Sequence, residues 1–166
     1  MSKARETAFL DMIQQHQGVL HKVCRIYTRS ETDFSDLKQE MLLQLWRAYP
    51  SFRQEAKIST WIYRIALNTA ITSLRKAERQ KVRPEDPHAL PELPTESFRP
   101  EQLDRHAFLY HAINQLSDIE KAIIILHLEE QPYEEIAQIM GITRNHVGVK
   151  ISRIKQKLKT LLKPHL

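Results

Sequence analysis

The sequence predicts an all-α fold of two small helical domains joined by a flexible proline-rich linker. Only three of the 166 residues are glycines, and long stretches are rich in Leu, Ile, Ala, Glu, Lys, Gln and Arg, which form helices readily. Five of the eight prolines fall between Gln80 and Pro100, interspersed with acids, which is typical of an extended segment. We therefore predict a first domain over residues 1–79, a linker over 80–100 and a second domain over 101–166.

Two helices are predicted before Pro50. Apolar side chains between Arg5 and Tyr27 recur at three- and four-residue steps, which predicts one amphipathic helix. Asp33 or Ser35 can cap the next helix, which runs SDLKQEMLLQLWRAY. Its far side carries acids and amides around one leucine, with a tryptophan at the border: Asp36, Gln39, Glu40, Leu43, Trp46 and Arg47. A leucine ringed by acids suggests an anchor for a protein partner, although a solvated face with one stray leucine is common.

A third helix is predicted from Ser59 to Lys76, capped by Ser59 or Thr60. One broad arc is apolar and should face the core: Ile62, Tyr63, Ala66, Leu67, Ala70, Ile71 and Leu74. The opposite arc is polar and cationic: Trp61, Arg64, Asn68, Thr69, Thr72, Arg75 and Lys76. An aromatic ring, an amide and cations on one face suit single-stranded nucleic acid, which needs stacking, edge contacts and phosphate neutralisation. Alternatively, the Trp61 ring folds back and closes the edge of the core.

The second domain should contain a helix-turn-helix. An opening helix near Glu101 has this apolar stripe: Leu103, Ala107, Tyr110, Ile113 and Leu116. Ser117 and Glu120 form a capping box before DIEKAIIILHLEE, which is apolar nearly all round and therefore central to the core. Pro132 suits the first position of a short helix, Gly141 ends it, and Thr143 caps the last helix. A short helix, a glycine turn and a capped second helix make a helix-turn-helix.

The last helix has one apolar side and one side suited to duplex DNA. Its far side carries short polar residues and an arginine at the edge, flanked by further cations: Asn145, Gly148, Val149, Ser152, Arg153 and Gln156. Amides and arginines pair with base edges in the major groove, while lysines meet phosphates. From Gly141 to Leu166 there are seven Lys or Arg and no acid, whereas a helix that is merely solvated usually mixes charges.

Composition excludes several classes of protein. The net charge of +5 favours a polyanionic partner, without distinguishing nucleic acid from a membrane surface. A single cysteine, Cys24, excludes an internal disulfide, and neither it nor His16 has the companions of a metal site. No apolar run approaches the roughly 18 residues of a membrane span, and the first residues lack a signal-peptide pattern, so we expect a cytoplasmic protein. No catalytic constellation or cofactor motif is evident, so we expect a non-enzymatic protein without a cofactor.

Three stretches in order resemble the extracytoplasmic-function subgroup of the sigma-70 initiation factors. DLKQEMLLQLWRAYPSF resembles the part of region two that binds the clamp helices of the largest polymerase subunit. KISTWIYRIALNTA resembles the part that melts and reads the minus-ten element. SDIEKAIIILHLEEQPYEEIAQIMGITRNHVGVKISRIKQKL resembles region four, which reads the minus-thirty-five element and touches the polymerase flap. The resemblance covers nearly the whole chain and implies a sigma factor that directs promoter-specific initiation by core RNA polymerase.

The resemblance also implies roles for individual residues. The residues expected to bind polymerase are Asp36, Gln39, Glu40, Leu43 and Trp46. Minus-ten DNA binding falls to Arg53, Lys57, Trp61, Arg64, Asn68, Thr72 and Arg75, with the loop from Ser51 to Lys57 closing over an extruded base. The residues expected to bind minus-thirty-five DNA are Thr143, Arg144, Asn145, Gly148, Val149, Ser152, Arg153 and Gln156. The linker acids Glu85, Asp86, Glu92 and Glu96 fit a nucleic-acid mimic near the polymerase cleft, and an anti-sigma factor is an expected partner.

Two departures and two alternatives accompany this interpretation. The minus-ten helix has a single tryptophan where primary sigma factors carry more aromatic residues, and Gly148 stands where a larger residue is usual. One alternative is a helix-turn-helix regulator that binds duplex DNA without acting as a polymerase subunit, which leaves the faces around Leu43 and Asn68 unexplained. The other is an adaptor that binds polymerase without reading DNA, against which the basic last helix argues.

Overall fold

The computed structural model describes residues 2–81 and 105–163. Throughout these ranges the regular structure is helical, which confirms the all-α prediction. The helices are α1 (Lys3–Gln15), α2 (Gln17–Tyr27), α3 (Glu31–Ala48), α4 (Ile58–Lys81), α5 (Arg105–Asn114), α6 (Asp118–Leu128), α7 (Tyr133–Met140) and α8 (Arg144–Leu162), with a 3-10 turn at Tyr49–Ser51. Residues 82–104, which include most of the predicted linker and its four acids, lie outside the described residues. None of the described helices combines the length and apolarity needed to cross a bilayer.

The core of the first domain lies where α2, α3 and α4 meet. Leu20 of α2, Met41 and Leu45 of α3 and Ile62 of α4 are fully buried. Close approach of α4 is possible because small side chains such as Ala66 stand between its larger apolar residues. The predicted packing role of Cys24 is confirmed: the residue is buried, its Sγ lies 3.7 Å from the Met41 sulfur, and burial raises the pKa of the thiol to about 11.

The prediction of one helix from Arg5 to Tyr27 was wrong, because the chain turns at His16. The backbone N–H of His16 donates to the Ile13 carbonyl at 3.1 Å, which closes the last turn of α1. The His16 ring also lies 2.9 Å from the Met12 carbonyl oxygen through Nδ1. Gly18 follows in α2 and favours the break, since glycine is a poor helix former. The turn lets α1 lie across the end of α3, where Phe9 contacts Trp46.

The predicted caps of the next two helices were also wrong. Ser30 caps α3, because its hydroxyl accepts a hydrogen bond from the Asp33 backbone at 3.1 Å, so the helix starts at Glu31. The first turn of α4 begins earlier than expected, since the Trp61 N–H donates to the Lys57 carbonyl at 3.1 Å. Ser59 and Thr60 therefore lie inside α4. The Thr60 hydroxyl is consequently available for a contact outside its own helix.

The second domain is built around α6, as its apolar sequence predicted. Ile123, Ile124 and Leu126 are buried, and the capping box is confirmed by hydrogen bonds of 3.3 and 3.0 Å between Ser117 and Glu120. Ile113 in α5 and Leu116 just after it are buried as the stripe predicted, whereas Tyr110 was placed in the stripe wrongly and is 46% exposed. Ala112 is buried in its place, and α5 packs against α8. The side chains of Leu103 and Ala107 lie outside the described residues.

The helix-turn-helix is formed by α7 and α8. Gly141 ends α7 at a φ of +69°, a left-handed conformation that suits glycine. The Thr143 hydroxyl caps α8 by accepting from the His146 N–H at 3.2 Å, as predicted. Pro132 stands one residue before the expected position, immediately outside α7. The predicted apolar side of α8 is confirmed, since Val147, Ile151, Ile154 and Leu158 are all buried.

Candidate nucleic-acid and polymerase interfaces

The predicted minus-ten face forms one side of α4. Arg64, Asn68, Thr72 and Arg75 are exposed, and they recur at the three- and four-residue steps of a helix face. The opposite side is the core face, where Ile62, Ala66 and Ala70 are fully buried. The helix therefore brings together an amide, a hydroxyl and two guanidinium groups on one accessible surface, which can contact base edges and phosphates.

Trp61 lies at the edge of this face and packs on the preceding loop. Its ring centroid is 4.7 Å from that of Phe52, with the ring planes at 34°. Together with neighbouring residues the two rings line an open cavity of about 190 Å³: Ser51, Phe52, Arg53, Glu55, Ala56, Trp61 and Arg64. The indole is half-buried. The prediction of an exposed stacking ring and the alternative of a ring that closes the core are therefore each only partly correct.

Helix α7 of the second domain lies against the same side of α4. The Thr60 hydroxyl donates to the Glu135 carboxylate at 2.6 Å, and the Lys57 ammonium lies 3.3 Å from the other carboxylate oxygen. One turn further along α4, the Arg64 guanidinium donates to the Gln138 carbonyl at 2.8 Å. Thr60 is only 2% exposed. Two residues with predicted minus-ten roles, Lys57 and Arg64, are therefore bound to the second domain.

The environment of Glu135 favours its charged form. The hydrogen bond from Thr60 is the largest influence and lowers the pKa of the carboxyl group below its usual value. Partial burial acts in the opposite direction, and the hydrogen bond and charge of Lys57 then lower the pKa further. Glu135 is therefore an anion in contact with a hydroxyl and an ammonium group at the start of α4.

Further along α4, a cleft of about 190 Å³ opens between the two domains. Asn68, Thr72 and Arg75 line it from α4, beside the apolar residues Leu67 and Ile71. The second domain contributes Ile119, Ile139 and Met140. The amide of Asn68 thus lies at the mouth of an interdomain cleft.

A second group of contacts joins α2 to α6. The Tyr27 hydroxyl donates to the Asp118 carbonyl at 2.6 Å, and burial raises the pKa of this phenol above its usual value. The Lys121 ammonium lies 5.9 Å from the centre of the Tyr27 ring, and Lys22 forms an ion pair with Glu129. These contacts, like those of Glu135, were not anticipated from the sequence, because their partners lie about 75 or more residues apart.

The predicted polymerase-binding face lies on α3. Asp36 and Gln39 are exposed, Glu40 is half-buried and accepts from the Gln44 amide at 2.8 Å, and Leu43 is 40% exposed among them. Trp46 differs from the others, because its ring packs on Phe9 of α1 at 4.9 Å and beneath the Arg5 guanidinium at 5.7 Å. Leu43 is thus the accessible apolar residue of the face, and Trp46 forms its partly covered border.

The predicted minus-thirty-five face lies on α8. Asn145, Ser152, Arg153 and Gln156 are exposed, and Val149 is 46% exposed on the same side. Thr143 stands at the cap, and the Arg144 guanidinium forms an ion pair of 3.0 Å with Glu134 of α7. Gly148 is half-buried, and a Cβ atom there would lie 3.6 Å from the Tyr133 ring, an ordinary van der Waals distance.

Gly148→Ala should therefore stabilise the protein, because the added methyl group fits beside Tyr133 and alanine favours the helix by about 1 kcal/mol. Urea unfolding followed by circular dichroism should show a gain of roughly 0.5–1 kcal/mol in the free energy of unfolding. Gly141→Ala is the matched control and should destabilise, because its φ is positive. A loss of stability in Gly148→Ala would contradict this account of the site, and a loss of duplex DNA binding alone would show that the glycine backbone approaches DNA.

Among the described residues, no three His, Cys, Asp or Glu side chains come together as a metal ion would require. A family profile for sigma-70 region 2 matches residues 12–80, and one for sigma-70 region 4 matches residues 109–158. The chain is 26% identical over 158 residues to the ECF RNA polymerase sigma factor SigM of Mycobacterium tuberculosis, covering 93% of this chain and 77% of that protein. It is 29% identical over 172 residues to the ECF RNA polymerase sigma-E factor of Haemophilus influenzae, covering 95% and 88%.

The chain belongs to the extracytoplasmic-function subgroup of the sigma-70 family. The region 2 match of this sigma factor contains the faces of α3 and α4, and the region 4 match contains α7 and most of α8. Its fold is also similar to that of the sigma factor RpoE from Bartonella quintana, solved in complex with the anti-sigma factor NepR. The two chains superpose with a TM-score of 0.67 at 24% identity, over 98% of each.

Proposed function

We propose that this sigma factor binds core RNA polymerase through the α3 face around Leu43, positions promoter DNA with α8, and opens the minus-ten region with α4. The observation that carries the proposal is the separation of three chemically different surfaces within the two matched regions. An acidic surface with an exposed leucine lies on α3, and a face with an amide and guanidinium groups lies on α4. A basic face with short polar residues lies on α8. In this proposal all catalysis belongs to the polymerase, and the protein acts in the cytoplasm with it.

Helix α8 is suited to the major groove at a minus-thirty-five element. Its exposed side presents Asn145, Ser152 and Gln156, whose side chains can form hydrogen bonds with base edges. Lys155 is exposed beside them and can reach phosphates, whereas Lys157 forms an ion pair of 2.6 Å with Glu120. Since α8 is the second helix of a helix-turn-helix whose turn is at Gly141, its exposed side can enter the groove while α7 crosses the backbone.

Helix α4 and the loop before it are suited to an opened strand. Asn68 can form hydrogen bonds with an extruded base, and Arg64 and Arg75 can neutralise its flanking phosphates. The cavity beside Phe52 and Trp61 is open to solvent and lined on one side by aromatic rings, which favours a flipped base. Duplex binding by α8 would hold the strand in register, so that α4 acts at one site.

An anti-sigma factor is the expected regulator. The Bartonella quintana relative was solved with such a partner, and the similarity of fold supports the same kind of regulation here. The core-binding surfaces for polymerase are the α3 face for the clamp helices and the second domain for the flap. A repressor that binds duplex DNA alone is the second candidate, and only the α8 face favours it.

Run-off transcription with core RNA polymerase tests the proposed function. A genomic library of promoter fragments should yield discrete transcripts when the protein is added to the core enzyme, and the transcripts should share upstream sequence elements. A protein that binds duplex fragments but yields no transcript from any of them would show that the repressor alternative is correct.

Arg153→Ala should weaken binding of duplex promoter DNA, because the residue is exposed at the edge of the α8 face. A base contact should cost about 1–3 kcal/mol and relax the preference at one position. A phosphate contact should weaken all sequences alike and reduce the salt slope by about one. Arg25→Ala, an exposed arginine on α2, is the control and should bind duplex DNA like the wild type. If the wild type, Arg153→Ala and Arg25→Ala have equal affinities and salt slopes, Arg153 does not contact the DNA.

A further inference from the structure

The side of α4 that carries the minus-ten residues is the side that α7 contacts. Lys57, Thr60 and Arg64 are spaced by three and four residues, and each has a partner on α7. The same row continues to Asn68, which lines the interdomain cleft with Ile139 and Met140 opposite. The second domain therefore bonds to the polar groups of the first part of the strand-binding row and borders the rest.

The groups that α7 presents to this row resemble those of a nucleic-acid backbone. The Glu135 carboxylate accepts a hydrogen bond from the Thr60 hydroxyl and lies beside the Lys57 ammonium. Both of these groups are at the amino end of α4, where the helix dipole also favours an anion. A phosphodiester is likewise an anion with oxygen acceptors, so it can make the same contacts. The Arg64 guanidinium donates to the neutral carbonyl of Gln138, and a phosphate oxygen would give a stronger, charge-assisted hydrogen bond.

We propose that the free protein masks its own strand-binding face: α7 lies on α4, the Glu135 carboxylate occupies the position of a strand phosphate, and opened promoter DNA competes with α7 for the same residues. The inference rests on the proposed function of α4. It adds that Lys57, Thr60 and Arg64 become free to bind a strand only after the second domain has moved, which happens when duplex DNA or polymerase engages that domain.

The contact is of a kind that can open. Lys57 is exposed, so its ion pair with Glu135 contributes little, since surface pairs are worth about 0–1 kcal/mol. The pair of Lys22 in α2 with Glu129, the residue after α6, is also partly exposed. Apolar contact comes from Ile139 and Met140 beside Leu67 and Ile71, around a cleft rather than a closed core. Exposed ion pairs and apolar residues around an open cleft form the kind of interdomain contact that permits relative motion.

Glu135→Gln is the direct test, because it removes the charge while keeping the shape of the side chain. The probe is a fluorescent, random-sequence, single-stranded DNA of 20 nucleotides, bound by the full-length protein at low salt and followed by anisotropy. We expect about 3- to 10-fold tighter binding, because a competitor within the same chain lowers affinity by the fraction of open molecules. Glu134→Gln makes the same charge change one residue earlier, on a side chain that pairs with Arg144 instead, and should bind within twofold of the wild type.

A charge swap provides a second, independent readout. Glu135→Lys should repel Lys57 and increase the radius of gyration measured by small-angle X-ray scattering. The double variant Lys57→Glu with Glu135→Lys should restore the compact value, because the ion pair is re-formed with its charges exchanged. Self-masking is overturned if Glu135→Gln binds the probe like Glu134→Gln, or if Glu135→Lys leaves the scattering unchanged.

The wild-type protein in run-off transcription separates this inference from the proposed function. If the wild type supports transcription and Glu135→Gln gives no gain in strand binding, self-masking is wrong and the function stands. If Glu135→Gln binds single strands more tightly but no protein supports transcription, the sigma function is wrong, and the masking of a nucleic-acid surface is supported.

Discussion

Leu43→Asp is expected to abolish co-purification of the protein with core RNA polymerase. The leucine is 40% exposed within an acidic and amide-bearing face of α3, where it can enter an apolar pocket of a partner. Replacing it with aspartate removes the apolar contact and adds an unpaired carboxylate beside Glu40 and Asp36. Loss of such an anchor costs about 2 kcal/mol or more, which corresponds to roughly 30-fold in affinity. Pull-down of core enzyme by the tagged, full-length protein measures the effect.

Leu10→Asp is the matched control for this prediction. Leu10 is the more exposed leucine, at 63%, but it belongs to α1 and not to the acidic face of α3. The variant should bind polymerase like the wild type, and circular dichroism should show that both variants stay helical. If Leu43→Asp binds core enzyme as well as Leu10→Asp does, the α3 face around Leu43 is not the polymerase contact.

Asn68→Ala is expected to alter the preference for one base of the minus-ten element. The amide is exposed on α4 at the cleft, and an amide that reads a base edge is worth about 1–3 kcal/mol of discrimination. The test uses a promoter library randomised over the minus-ten element, in which each variant is linked to a barcode in the transcribed region. Sequencing of the transcripts should show one position relaxing by about 5- to 150-fold. Asn114→Ala changes an exposed asparagine on α5 and should leave the profile unchanged. If Asn68→Ala has the same base-preference profile as the wild type, Asn68 does not recognise a minus-ten base.

Helix faces could be predicted from the sequence because the apolar period of a helix is independent of the rest of the fold. In α8 the residues Val147, Ile151 and Ile154 recur at this period and are almost completely buried. In α4 the same reasoning separated Ile62 and Ala66 from Asn68. The faces proposed to bind polymerase and DNA followed directly, since each is the complement of an apolar side.

Helix starts were harder to predict, because several residues near one boundary could serve as the cap. Ser30, Asp33 and Ser35 all have suitable side chains, and in the structure Ser30 makes the capping hydrogen bond. At α4, Thr60 is a good cap by residue type, yet its hydroxyl is bound to Glu135. The break at His16 had only the nearby Gly18 as a sequence signal, which is weak on its own.

The contact between the domains could not be predicted from periodicity. Thr60 and Glu135 are separated by 75 residues, and each has an ordinary role within its own helix pattern. Tyr27 likewise completed the apolar stripe of α2, while its hydroxyl bonds to Asp118 of the second domain. Such pairings depend on how two helical units pack, and a single sequence carries no local record of that packing.

Permanganate probing of promoter DNA tests the central claim, that α4 opens the minus-ten region while α8 holds the duplex. With core enzyme and the wild-type protein, thymines near the transcription start should become reactive, because unstacked thymines are accessible to the reagent. The reactivity should fall in Arg64→Ala and Asn68→Ala, while protection of the upstream duplex by α8 persists. Full reactivity in both α4 variants, or upstream protection by the wild type without any reactive thymine, would contradict the account.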